Sequence, residues 1–296
     1  MAKKAKAKPV TSPTLVTFVL DRSGSMKSCW DSTIEAFNGF VDGLRDTPQI
    51  DFTLVQFDHH GGVMDLNKVC VATPIKDAPK LDRENYVPRG STPLIDAAYT
   101  VIKAVETSLL DKPKDTKVVI CIQTDGEENC SRTYNWEQLA SLVKEKQDLG
   151  WQFNFMGAGI DAYQQGTRMG LTAAQTMSYD HTNRAATRAA FASRSQSYAD
   201  YASGACGQSV FSADDKLAAG DKFDPAAGAG SLISKVVVGG PGTPSGSGLG
   251  SGVAGGGLAG ASPFTLSGAG LSAKNNLDLS TTQQRADLPK KEAFKL

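Results

Sequence analysis

The chain has 296 residues, 40% of them hydrophobic, and balances 31 Lys plus Arg against 31 Asp plus Glu. That balance supplies no long-range attraction to nucleic acid or to an acidic membrane surface, and no apolar run is long enough to span a bilayer. Five cysteines with no CxxC spacing point to reduced thiols in a cytoplasmic protein, not to a disulfide framework.

In chain order, residues 1–13 open with MAKKAKAK, a solvated, disordered basic terminus by composition. The apolar run behind it, LVTFVL (15–20), is too short for an export signal and ends at an aspartate. Its β-branched content predicts a strand buried on both faces. Ile34, Phe37, Val41 and Leu44 then recur at helical spacing behind a capping box, Ser32-x-x-Glu35. DFTLVQF (51–57) alternates as a strand. His59 and His60 follow it, and their adjacency is poor chelating geometry, so a surface turn is expected there.

A longer helix carries Leu94, Ile95, Ala98, Val101, Ile102, Val105 and Leu109 on one face, with Pro93 at its first position. KVVICIQ (117–123) is a second fully buried strand, in which Cys121 serves as a small hydrophobe. Trp136, Leu139, Leu142, Val143 and Leu149 mark a third helix, capped by Asn135 and stopped by Gly150. WQFNFMG (151–157) and QTMSYD (175–180) read as strands, and the alanine-rich stretch 183–202 as a helix. The order β-α-β-β-α-β-α-β-α-β-α predicts one α/β domain over residues 14–203. Its sheet is doubly wound, mainly parallel and six-stranded, with helices on both faces.

After residue 203 the composition changes, and 18 of the 30 glycines lie there. The run GGPGTPSGSGLGSGVAGGGLAGASP (239–263) has side chains that bury almost nothing, so residues 204–296 read as a Gly/Ser-rich low-complexity extension. Within it GAGSLI (228–233) lacks the spacing of a nucleotide-binding loop, SLISKVVV is one isolated strand, and residues 276–296 read as a short helix or a docking peptide.

Three polar clusters stand where the strands of such a sheet would release their loops: DRSGS after the first strand, RGST (89–92) before the long helix, and TDGEEN after KVVICIQ. Ligands of open parallel sheets gather at that edge. The candidate set is Asp21, Ser23, Ser25, Thr92 and Asp125. Two carboxylates and three hydroxyls suit a hard divalent cation, Mg2+ first, with Mn2+ or Ca2+ meeting the same donor chemistry. They leave the ion incompletely neutralised and able to attract an outside anion. Gly24 gives the first loop its conformational freedom. Taken singly, each residue also has a plain role, as helix cap or turn former.

With those residues quoted, the chain resembles a von Willebrand factor type A domain from residue 14 to about 202. Asp21, Ser23 and Ser25 match the DxSxS of that family's metal-ion-dependent adhesion site, Thr92 its second-loop threonine, and Asp125 its third-loop aspartate. YVPRGSTPLIDA, TDGEENCSRTY and GWQFNFMGAGIDA are similar to small stand-alone members from bacteria and their phages. The resemblance implies hydroxyls bound directly to magnesium, aspartates acting through water, and a partner protein's Asp or Glu completing the shell. Gly24, Trp30, Ser91 and Glu127 would form the partner-binding rim.

The expected function is therefore metal-dependent protein binding without catalysis, in the cytoplasm or on a virion. A second reading is a structural component of a larger assembly, attached through the tail. A phosphohydrolase with Asp21 as nucleophile would need a carboxylate where Ser23 stands. Glu127 and Glu128 read as a solvated loop, and Asp96 and Asp161 as carboxylates at helix starts.

Overall fold

The computed structural model describes residues 12–222 and 294–296. The expectations for residues 1–11, for the glycine run, for GAGSLI and SLISKVVV, and for most of 276–296 lie outside the described residues. Six strands form one sheet: β1 (Thr14–Asp21), β2 (Ile50–His60), β3 (Val63–Pro74), β4 (Lys117–Thr124), β5 (Gln152–Ala158) and β6 (Thr176–Tyr179). Their spatial order is β3-β2-β1-β4-β5-β6, parallel throughout except for the antiparallel β2–β3 pair. The helices are α1 (Trp30–Leu44), α2 (Leu94–Ser108), α3 (Trp136–Asp148), α4 (Ala162–Arg168), α5 (Arg184–Ser203) and α6 (Ala213–Ala218).

Because β1 and β4 are buried on both faces, their alternate side chains feed two apolar layers. On one side Phe18 of β1 meets Phe37 edge-on at 5.5 Å and Phe40 at 5.3 Å, and stacks on Phe191 of α5 at 5.9 Å, so α1 and α5 cover that face. On the other, Leu15, Val19, Ile120 and Ile122 pack with Leu94, Val101 and Val105 of α2 and Leu139 and Val143 of α3. Each such side chain contributes about 1.5–3 kcal/mol by leaving water.

Two helix starts, those of α1 and α2, differ in detail from the sequence reading. A 3-10 turn, Gly24–Cys29, runs straight into α1, so Ser32 lies inside the helix and its hydroxyl donates back to the Cys29 carbonyl at 2.9 Å; no capping box forms there. Pro93 is the N-cap of α2 and Leu94 its first residue. Asn135 caps α3 in a reciprocal box with Gln138, and Asp161 caps α4 by accepting from the Tyr163 and Gln164 amides. His59 and His60 end β2 instead of sitting in the turn, which falls to Gly61 and Gly62.

The folded unit also runs past Ser203. Residues 204–222, grouped with the extension by composition, pack against α5 and β6. Phe211 and Ala219 are buried, the Phe211 amide donates to the Ala174 carbonyl at 2.7 Å, and the Asp180 amide donates to the Ala219 carbonyl at 3.0 Å. Arg194 of α5 explains the packing: fully buried, it lies 3.6 Å from the Phe211 ring centroid and donates to the Val210 carbonyl at 3.0 Å. All five cysteines are free, with Cys121 buried in the sheet, and among the described residues no helix is long and apolar enough to cross a membrane.

Candidate metal centre

The strand order reverses between β1 and β4, and the loops leaving these two neighbours part to opposite faces of the sheet. Asp21 is the last residue of β1 and Asp125 the first after β4. The crevice between them receives the second loop, residues 87–93, which leads into α2.

Backbone bonds hold the three loops together. The Arg89 amide donates to the Arg22 carbonyl at 2.8 Å and the Gly24 amide to the Gly90 carbonyl at 3.0 Å. Gly90 has φ +67, and a Cβ there would fall 2.2 Å from the His59 carbonyl oxygen, so only glycine lets the loops approach this closely. Ser91 exchanges both backbone bonds with His59, at 2.9 and 3.0 Å. On the far side the Thr92 amide donates to Asn129 Oδ1 at 3.0 Å, and the Asn129 amide returns to the Thr92 carbonyl at 3.2 Å.

Charge reinforces the first junction. Arg22 Nε lies 2.6 Å from Asp58 Oδ2 and one of its terminal nitrogens 2.7 Å from Asp65 Oδ2; Arg89 reaches the same two oxygens at 3.0 and 2.5 Å. Two guanidiniums and two carboxylates thus close a neutral ring that joins the first loop, β2, β3 and the second loop. Asp58 is fully buried within it.

The side chains converge accordingly. Asp21 is 0% exposed; its Oδ1 accepts from the Ser23 amide at 2.6 Å and its Oδ2 from the Thr124 hydroxyl. Ser23 and Ser25 hydroxyls are 3.0 Å apart, and Ser25 Oγ donates to Asp125 Oδ1 at 2.6 Å. Thr92 is 2% exposed, and its Oγ1 shares the space over Gly126 with Ser25 Oγ: a Cβ on Gly126 would lie 3.1 Å from the first and 3.5 Å from the second. All five candidate residues are therefore brought to one place. Ser25 is exposed and Asp125 half-buried, so the cluster opens to solvent.

Burial pushes the Asp21 carboxyl up to about 7, against the pull of the Thr124 and Ser23 hydrogen bonds, and repulsion from Asp125 adds to the rise. Asp125 is raised as well, again chiefly by burial, with the Ser25 bond and the nearby His181 opposing. Two partly desolvated carboxylates and three hydroxyls facing one another suit a divalent cation, whose charge would reverse both shifts. Among the described residues no group of three or more His, Cys, Asp or Glu gathers that could hold a metal. With three hydroxyls to two carboxylates, the donor set here is hydroxyl-rich, which suits a hard ion.

Of the rim residues, Ser91 and Glu127 are exposed and Gly24 is half-buried against the Gly90 carbonyl. Trp30 is half-buried; its indole N–H donates to the Tyr86 carbonyl at 2.7 Å and the Arg83 guanidinium lies 4.8 Å from its ring centroid. Tyr86 in turn donates its hydroxyl to the Asp21 carbonyl at 2.7 Å. Glu128 is no solvated loop residue: it accepts from the Cys130 and Ser131 amides, from the Ser131 hydroxyl, and from the Ile95 amide in the first turn of α2. Asp96 likewise accepts the amides of Arg132, Thr133 and Tyr134, tying the same loop to α2. Thr124 and Asn129 are site-building residues that sequence reasoning passed over. Their signal was position alone, at the end of a buried strand and within TDGEEN.

An open α/β sheet with an oxygen-lined cluster at its switch point defines the class. The chain belongs to the von Willebrand factor type A domain family, whose model matches residues 16–193. No curated protein matches the chain. Among solved structures, it is similar to the pilus adhesin SpaC from Lactobacillus rhamnosus GG in its open conformation (13% identity, TM-score 0.51, 66% of this chain and 31% of that one). It is also similar to a manganese-loaded TRAP protein of Plasmodium vivax (15%, TM-score 0.44, 61% and 74%). A third similar structure is proximal thread matrix protein 1 from the mussel byssus with a zinc-occupied MIDAS motif (15%, TM-score 0.43, 62% and 48%). At these identities the likeness is one of fold. This chain spans about half the length of the mussel protein and a third of that of the adhesin.

Proposed function

We propose that this domain is a divalent-cation-dependent protein-binding module. Ser23, Ser25 and Thr92 would hold Mg2+ through their hydroxyls, with Asp21 and Asp125 balancing its charge from behind and from the side. The ion would supply an electrophilic coordination position for an Asp or Glu carboxylate of a partner protein. Gly24, Ser91 and Glu127 then meet the partner's surface, Glu127 disfavouring acidic groups away from the metal. Trp30, with its N–H committed to Tyr86, supports the first loop from beside it.

The observation that carries this reading is the meeting of Ser25 and Asp125 across β1 and β4, with Thr92 beside them and Asp21 buried beneath. Catalysis through Asp21 as a nucleophile fits poorly. Both its oxygens are engaged, by the Ser23 amide and the Thr124 hydroxyl, and the residue two places on is a serine with no useful acid–base chemistry near neutral pH. Membership in a family with this site favours binding over turnover.

Calorimetric titration with MgCl2, followed by capture of proteins from a lysate with and without chelator, tests the proposal. Saturable binding that disappears in Asp125→Ala, together with chelator-sensitive capture, is the expected result. Equal heats for parent and variant would overturn the site.

A further inference from the structure

The segment Phe294-Lys295-Leu296 lies against the domain. Phe294 and Leu296 are half-buried and Lys295 is exposed, an in-out-in pattern in which two apolar side chains spaced by two face the protein. Both join the apolar cluster on the α2 face of the sheet, which also takes in Met64 and Leu66 of β3.

β3 explains why a segment should settle there. It is an edge strand, and Met64, Leu66 and Lys68 pair with His59, Phe57 and Val55, so alternate residues share the face that carries buried Phe57 and Val55. Met64 and Leu66 are only half-buried on that face, and a sheet edge with apolar side chains needs covering. Lys68 supplies the polar recognition. Its ammonium donates to the Lys295 carbonyl at 2.8 Å and sits 5.0 Å from the Phe294 ring centroid, so a single charge reads both a main-chain acceptor and an aromatic face.

We propose that Phe294-Lys295-Leu296 is an intramolecular docking segment, and that the α2 face of β3, centred on Leu66 and Lys68, is its receptor. The surface selects an aromatic residue, any residue with a free carbonyl, and then an aliphatic one. The proposal is independent of the metal centre.

The experiment uses the full 296-residue chain. A fluorescein-labelled peptide of residues 288–296 is titrated, by anisotropy, with the parent chain and with the Phe294→Ala, Leu296→Ala double variant, whose changes lie outside the sheet and helices. The peptide should bind the double variant at least about tenfold more tightly than the parent, where the chain's own segment competes at high local concentration. Adding Lys68→Ala to the double variant should weaken that binding by about tenfold, with an unchanged circular dichroism spectrum. Absence of binding to the double variant, or equal binding to both chains, overturns the proposal. So does a concentration-dependent dimer of the parent that the double variant lacks, since the segment would then sit on a second copy.

Discussion

Ser25 donates its hydroxyl to Asp125 at 2.6 Å across 100 positions of sequence. One residue follows β1, the other β4, and their contact depends on those strands being neighbours with parallel register. Everything chemical about the site follows from that adjacency.

Asp125→Ala should abolish Mg2+ binding and leave the fold intact, because the side chain is on a loop at the rim and not in either apolar layer. Removing it also removes a like charge from Asp21, so the melting temperature in chelator should hold or rise. Calorimetry and thermal melts check both halves. Undiminished Mg2+ heats would contradict the assignment.

Thr124→Val keeps the shape of the side chain and deletes the donor to Asp21 Oδ2. Partners of this kind tune a site without touching the ion, and their loss typically costs about 10- to 100-fold in metal affinity. The same calorimetry reads it, and Mg2+ affinity equal to the parent's would show that Thr124 does not position Asp21.

The pH response has a definite sign. With the Asp21 carboxyl at about 7 in the folded state against 3.8 ordinarily, the folded chain holds more protons than the unfolded one between those values. This residue therefore makes the metal-free domain less stable as pH rises from about 4 to about 7. Cation binding requires the ionised carboxylate, so the stabilisation conferred by Mg2+ should grow over the same interval. Thermal melts with MgCl2 and with chelator across that range report both trends, and a magnesium-induced shift independent of pH would be inconsistent with Asp21 near the ion.

Asp58→Ala should destabilise the domain by about 3–5 kcal/mol, since it removes the fully buried carboxylate shared by Arg22 and Arg89 and leaves the buried Arg22 only the partly exposed Asp65 as a charged partner. Denaturant unfolding measures the loss, and a change below about 1 kcal/mol would mean that Arg22 finds water or another acceptor.

Gly90→Ala adds a Cβ against the His59 carbonyl at a residue of positive φ. Strain of about 1–3 kcal/mol or more is expected, and the shifted loop should carry Thr92 with it, so stability and Mg2+ affinity fall together. A variant with parental melting temperature and affinity would show that the loop absorbs the added methyl freely.

The strands on either side of the switch point were legible because LVTFVL and KVVICIQ must be apolar on both faces, a demand that leaves no room for polar alternation. The five oxygen-bearing residues were legible not singly, since each could be a cap or turn former, but through their joint placement at one edge of the predicted sheet. β3 appeared only as an extra strand in the predicted order, with no residues assigned to it: half-exposed at the sheet edge, with a register shift between Phe52 and Val55, it carries no clean period. Ser32 misled because a helix start depends on what precedes it, and the 3-10 turn ahead of α1 is invisible in composition. Residues 204–222 were hidden by their glycines, and the buried Arg194 that holds them has no signature in sequence, being an arginine on an otherwise alanine-rich helix. Glu128 looked like one more charge in an acidic loop; only the fold reveals four donors arranged around it.

The reciprocal bonds between Thr92 and Asn129, and between the Arg22 and Arg89 segments, have a kinetic consequence. Loops stitched to each other before any ion arrives have little searching to do, so capture of magnesium should be paced by the shedding of its hydration water and not by rearrangement of the polypeptide. A socket of that kind exchanges manganese or calcium, which lose water more readily, far faster than magnesium.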